Sequence, residues 1–286
     1  MSAAGGLPRP VERTPDFGSF SAVDEGDAAA LGDYLDAVRG EDGVARWKEL
    51  SFDLLEARPG AVLVDVGCGL GDDVRSLAGR VAPGGRAIGI DASEAMIAEA
   101  RRRSEGAAGE GTEFLVADAT RVPLGDGAAD GCRSERVLQH LDEPGPAVAE
   151  MARIVRAGGI VVAAEPDWGT LVVDGGDPEV EAAVAAAAMS RVRNPTAGRS
   201  LRRLFAAAGL SRVEVIARTL LISDLPRARM LLGIDGALEH AVGGGLVPRR
   251  RAEAWRAELD AASGAQRLTA AITSFLAAGR VGCGPG

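Results

Sequence analysis

Lysine occurs once in the 286 residues, as Lys48, histidine twice, as His140 and His240, and cysteine three times, as Cys68, Cys132 and Cys283. Lys48 stands in no Gly-Lys-Ser/Thr loop, which excludes a Walker-type phosphate site, and a single lysine gives little support to a pyridoxal Schiff base. The cysteines lack any Cys-x-x-Cys spacing and have too few histidines to join them, so no zinc cluster or other metal site is expected. Cys68 and Cys132 read as small buried thiols without a neighbouring base. No apolar run approaches the ~20 residues of a membrane span, and the polar, proline-containing start has no signal-peptide core. A cytoplasmic protein is expected. Basic residues are outnumbered, 32 Lys and Arg against 41 Asp and Glu, and the formal net charge of −9 argues against a nucleic-acid partner. The runs Arg101-Arg102-Arg103 and Arg249-Arg250-Arg251 read as solvated faces. Hydrophobic content of 47% with 26% charged residues is enough for a substantial core.

What is present in quantity is glycine, and its placement carries the most information. Val62-Leu63-Val64 is an apolar run suited to a strand buried on both faces; it leads through Asp65-Val66 into Gly67-Cys68-Gly69-Leu70-Gly71-Asp72. Gly67, Gly69 and Gly71 permit a tight turn against which a ligand meets bare main chain. A G-x-G-x-x-G dinucleotide fingerprint needs its third glycine where this chain has Asp72. Asp72 and Asp73 would repel a pyrophosphate at the following helix N-terminus but not an ammonium or sulfonium ligand. The Asp-x-Gly-x-Gly-x-Gly segment resembles motif I of the class I S-adenosylmethionine (SAM)-dependent methyltransferases. That resemblance implies a turn lying against the methionine part of SAM, with Asp65, Gly67, Cys68 and Gly69 in the cofactor site.

Two further strands end in acids at the same rim. Ala87-Ile88-Gly89-Ile90 reaches Asp91 about 25 residues after the first strand, the distance of a βαβ unit. Asp91 is suited to accept hydrogen bonds from both ribose hydroxyls, while Ser93 caps the helix that follows. Glu113-Phe114-Leu115-Val116-Ala117 reaches Asp118-Ala119. The resemblance implies that Asp118 receives the adenine amino group, that Ala119 offers its amide to the ring, and that Ala92 and Met96 complete the cofactor wall. A fourth strand near 130–134 leads through Ser134 and Glu135 to His140, and a fifth, Ile160-Val161-Val162-Ala163-Ala164, leads to Glu165, Asp167 and Trp168. Ligands bind outside the carboxyl ends of such strands, which makes all six pocket candidates. Ser134 and Glu135 are assigned to the cofactor, His140, Glu165 and Asp167 to catalysis, and Trp168 to the acceptor.

The expected architecture is an α/β fold: a Rossmann-like, seven-stranded, mostly parallel sheet with an antiparallel last strand and helices on both faces. An N-terminal arm over 1–24 and a helical cap over 25–57 precede a core over 58–222, which includes a helical segment at 178–208. A helical substrate lid over 223–266 contains helices at about 225–242 and 248–262; the last strand follows at 267–278, then a tail at 279–286. In the resembling family such N-terminal helices cover the SAM pocket, which would bring Tyr34, Arg46 and Trp47 to it; their apolar surfaces equally suit simple anchoring. His240, on the lid, is a further acceptor-binding candidate.

The function this implies is methyl transfer from SAM to an O, N or C atom of a small molecule such as a secondary metabolite, quinone or lipid-like compound, releasing S-adenosylhomocysteine. His140 is the nominee for a general base should the acceptor be a hydroxyl. Two alternatives stay open: a SAM-binding protein of this fold with a cyclisation or regulatory role, and an NAD(P)-dependent oxidoreductase, which the glycine spacing and the absence of a Tyr-x-x-x-Lys pair oppose. A homodimer formed through the N-terminal arm also stays open. The alanine- and arginine-rich, lysine-poor composition is that of a high-GC bacterial source.

Overall fold

The computed structural model describes residues 42–282. The expected 1–24 arm, the first part of the cap with Tyr34, and Cys283 lie outside the described residues.

Helix α1 (Asp42–Leu54) comes before the first strand. Then β1 (Val62–Val66), α2 (Asp72–Val81), β2 (Arg86–Asp91), α3 (Glu94–Arg103) and β3 (Thr112–Val116) make two successive βαβ units. They are followed by β4 (Ala129–Glu135), α4 (Pro144–Ile154) and β5 (Val155–Asp174). The strands join β6 (Ser211–Ile222) and β7 (Thr269–Arg280) in one sheet of order β3-β2-β1-β4-β5-β7-β6. All neighbours from β3 to β5 are parallel, and β7 runs antiparallel to both β5 and β6. The mostly parallel sheet with an antiparallel last strand is the expected one.

Alternation along β1 explains the two covered faces. Leu63 packs with Val74, Leu77 and Val81 of α2 and Ile97 of α3, whereas Val64 and Val66 face Val148, Met151 and Ile154 of α4 together with Leu201 and Phe205 of α6 (Ala197–Ala207). Each such side chain contributes about 1.5–3 kcal/mol on full burial. A third cluster joins β6 and β7 to α5 (Pro178–Ser190), α7 (Leu225–Leu232), α8 (Ile234–Gly243) and α9 (Arg249–Gly264).

Two elements differ from expectation. The fifth strand spans 20 residues instead of about five, because its second half pairs with β7 beyond a register shift between Asp167 and Val172. The helix expected at 225–242 is two helices, broken at Gly233, whose φ of 59° is left-handed. Among the described residues no helix is long and apolar enough to cross a membrane.

Candidate active site at the strand ends

The glycine turn after β1 is left-handed at all three glycines, with φ of 75° at Gly67, 51° at Gly69 and 75° at Gly71. It is sewn to β2: the Gly67 and Cys68 amides donate to the Ile90 carbonyl at 2.7 and 2.9 Å, and the Gly69 amide donates to Asp91 Oδ2 at 2.9 Å. A Cβ on Gly67 would stand 2.2 Å from Val137 Cγ2, so the loop after β4 presses directly on the turn. The other Asp91 oxygen takes the Ser93 amide at 3.0 Å, and Ser93 Oγ in turn caps α3 through the Met96 amide at 3.1 Å. Asp91 therefore fixes both flanking loops.

The turn opens on a cavity of about 950 Å³ at the carboxyl ends of the strands. Its wall includes Asp65, Gly67, Cys68, Gly69, Asp91 and Ala92. Met96, Asp118, Ala119 and Glu135 also belong to it, as do His140, Glu165 and Trp168. Asp118 is exposed at the rim and orders its own loop by accepting the Thr120 amide at 2.7 Å. Ser134 is buried, its hydroxyl has no hydrogen-bond partner among the described residues, and it does not reach the wall. Asp167 is also away from the wall: fully buried, it binds the Arg199 guanidinium through both oxygens and accepts the Gly169 amide at 3.0 Å. His240 is exposed on α8 and is not part of the wall.

Beneath the turn lies an ionic cluster in which Arg133, buried in the middle of β4, is the hub. One guanidinium nitrogen donates to Asp65 at 3.0 Å and Asp73 at 2.8 Å, and the other to Glu135 at 2.6 Å. The Phe52 ring packs 5.0 Å from the guanidinium carbon. Lys48 of α1 adds a second cation, 2.6 Å from Asp73 and 3.8 Å from Glu135. Three carboxylates against two cations leave a formal charge of −1. Burial pushes Asp65 up to about 7 against the pull of Arg133. Asp73 is pushed up by burial too, but Arg133 and Lys48 together hold it well below the usual carboxylate range.

Glu165 anchors the turn that carries His140. Its oxygens accept the amides of Val137 at 2.9 Å, Leu138 at 2.7 Å and Gln139 at 3.3 Å, the donors at the start of the one-turn 3-10 helix Leu138–His140 that have no partner within the helix. Burial nonetheless raises its carboxyl to about 7. The Trp168 indole donates to Gln139 Oε1 at 2.8 Å and locks the same turn from the far side. His140 is pushed down to about 4, first by burial and then by the nearby Arg136 and Arg193 guanidiniums, so its imidazole is neutral at pH 7.

The sequence reading missed Lys48, Asp73 and Arg133 as a unit. The available signal was Arg133 itself, a charge set between Cys132 and Ser134 in the expected fourth strand.

Residues 64–163 match the Methyltransferase domain family. The chain is 40% identical over 223 residues to an uncharacterised 37.1 kDa protein in transposon Tn4556 of Streptomyces fradiae, covering 78% of this chain and 64% of that one. It is 34% identical over 125 residues to demethylmenaquinone methyltransferase of Beutenbergia cavernae, covering 43% of this chain and 49% of that protein. It thus spans between about half and two thirds of the length of these relatives. In fold it is similar to geranyl diphosphate C-methyltransferase of Streptomyces coelicolor A3(2), a structure holding Mg2+, geranyl diphosphate and S-adenosyl-L-homocysteine, with a TM-score of 0.55, 18% identity, and coverage of 95% of this chain and 89% of that one. With the glycine turn, the sheet order and these matches together, residues 64–163 form a domain similar to those of the class I SAM-dependent methyltransferases.

Proposed function

We propose that this chain transfers a methyl group from SAM to a small-molecule acceptor in the cavity at the strand ends. The observation that carries the reading is the coupling of a bare left-handed glycine turn to an acid-lined wall whose ionic core sets three carboxylates against two cations. That environment suits a cofactor bearing ammonium and sulfonium charges and disfavours a pyrophosphate. When bound, SAM supplies an electrophilic methyl group and leaves as S-adenosylhomocysteine.

The residues divide the work by position. Asp91, on the cavity wall at the end of β2, serves the ribose hydroxyls, and Asp118 with the Ala119 amide serves the adenine. Asp65 and Glu135, at the edge of the ionic core, serve the ammonium, and Ala92, Met96 and Cys68 close the wall around them. Orientation of an acceptor inside such a cavity supplies about 7–11 kcal/mol of barrier reduction, and a neutral amine needs little else. A hydroxyl acceptor has to lose a proton, and the His140 imidazole, unprotonated at pH 7, stands in the wall to take it as a weaker base than a free imidazole. Glu165 and Trp168 act on His140 indirectly, through the turn they hold. Asp167, closed off by Arg199, has a packing role.

The test is release of S-adenosylhomocysteine from SAM by the purified chain with phenolic, amine and quinol acceptors. Acceptor-dependent release, reduced about 100-fold for a hydroxyl acceptor by His140→Ala, supports the reading. Tight SAM binding with no release for any acceptor contradicts methyl transfer.

A further inference from the structure

In the order β3-β2-β1-β4-β5-β7-β6, the cavity acids Asp118, Asp91 and Asp65 stand at the ends of the first three strands, while Arg136 follows β4 and Arg218 lies on the edge strand β6. We propose that the acceptor is an amphipathic anion, an apolar molecule bearing a carboxylate or phosphate that the Arg136 and Arg218 guanidiniums bind in the part of the cavity formed by β4 to β6. The proposal deepens the methyltransferase reading and rests on it for the word acceptor.

Both guanidiniums are available. Neither side chain has an ion-pair or hydrogen-bond partner among the described residues, although both belong to the cavity wall. The other charged groups on this side are accounted for: Glu135 is bound to Arg133 at 2.6 Å, Arg193 is bound to Asp142 at 2.6 Å, Glu165 is turned to backbone amides, and Glu143 is exposed at the start of α4. A planar fork of donors matches a carboxylate or phosphate and cannot accept a hydrogen bond, so these two residues select for an oxyanion.

The surroundings supply the apolar part. Arg218 is paired across the sheet with Ser274, and Ser274 with Pro166. Two residues along, on the same face, Leu220 is paired with Ile272, and Leu231 and Leu232 of α7 line the same cavity. A guanidinium thus stands at the end of an apolar floor. Across this row, β4 and β6 are three strand spacings apart, about 14 Å between backbones, so Arg136 and Arg218 belong to strands on opposite sides of β5 and β7.

Arg136 also holds an unusual backbone. Its φ of 57° is a region that non-glycine residues rarely occupy, and it is fixed by donation of its amide to the Ala164 carbonyl at 2.9 Å. A glycine would fit this conformation better, so the long cation is there at a cost to folding. The depressed proton affinity of His140, caused by burial and then by Arg136 and Arg193, reports the same positive potential.

The test is calorimetric titration of the full chain with octanoate, octyl phosphate and octanol, with and without S-adenosylhomocysteine, beside Arg136→Gly and Arg218→Gln. The proposal predicts that at least one anion binds ten-fold or more tighter than octanol and that each variant removes most of that advantage. Arg136→Gly is expected to melt no lower than the parent, which separates lost recognition from lost folding, and both variants are expected to keep their affinity for S-adenosylhomocysteine. The ratio of octyl phosphate to octanoate binding identifies the head group. Octanol binding as tightly as both anions, or variants that leave the preference intact, overturns the proposal. Anion selectivity without any S-adenosylhomocysteine binding keeps the anion site and removes the methyltransferase reading instead.

Discussion

Asp91 holds Gly69. The carboxylate at the end of β2 accepts the amide in the middle of the glycine turn at 2.9 Å, so the acid proposed for the ribose also fixes the shape of the turn proposed for the methionine portion. The first consequence concerns stability with no ligand present. Asp91→Ala strands the Gly69 and Ser93 amides and is expected to cost about 1–3 kcal/mol, whereas Asp91→Asn, which keeps one carbonyl acceptor, loses less. Denaturant melts of the three proteins check this; equal stability of parent and alanine variant contradicts it.

Gly67 carries two separate demands. Its φ of 75° disfavours any side chain by about 1–2 kcal/mol, and an added Cβ meets Val137 Cγ2 at 2.2 Å. Gly67→Ala is therefore expected to weaken both folding and SAM binding. Adding Val137→Ala restores the part due to the clash but not the part due to backbone strain. A double-mutant cycle on melting free energy measures the two, and complete rescue speaks against the strain.

Arg133 is the sole direct ion-pair partner of buried Asp65 among the described residues and shares Asp73 and Glu135 with Lys48. Arg133→Met leaves three carboxylates facing one cation and is expected to cost about 3–5 kcal/mol, the range for breaking a buried pair. Replacing Asp65 by Asn in that background returns part of the loss. The readout is the urea midpoint, and an Arg133→Met protein as stable as the parent refutes the hub assignment.

Glu165 gives stability a pH dependence of defined sign. Burial raises its folded-state value from 4.5 to about 7, so the folded chain keeps a proton that the unfolded chain releases between those values. Its contribution is present below about pH 4.5 and declines as pH rises to about 7. Glu165→Gln lacks this slope. Relative to the parent, the variant should gain about 2–3 kcal/mol between pH 5 and pH 8. Parallel stability curves for the two proteins would show that Glu165 is already ionised in the fold.

How much of this was legible in the sequence follows from what each feature depends on. Asp91 and Asp118 were readable because a strand end in a βαβ unit fixes their place locally, and the turn glycines because only a left-handed backbone calls for them in that pattern. Glu165 was placed at the right strand end, but its bonds to three amides of the 137–139 loop depend on a chain segment 26–28 residues away. Lys48 and Arg133 were beyond local reading for the same reason: one guanidinium gathers acids from β1, α2 and β4. Gly233 was visible, yet an apolar pattern continuing on both sides hid the break it makes.

The most direct measurement is calorimetric titration of the parent chain and Asp91→Ala with SAM, S-adenosylhomocysteine and NADH. The account predicts binding of the first two by the parent, a loss of about ten-fold or more in the variant, and no binding of NADH. Tight NADH binding, or SAM binding untouched by removal of the Asp91 carboxylate, would contradict the assignment of the glycine turn and the β2 acid to SAM.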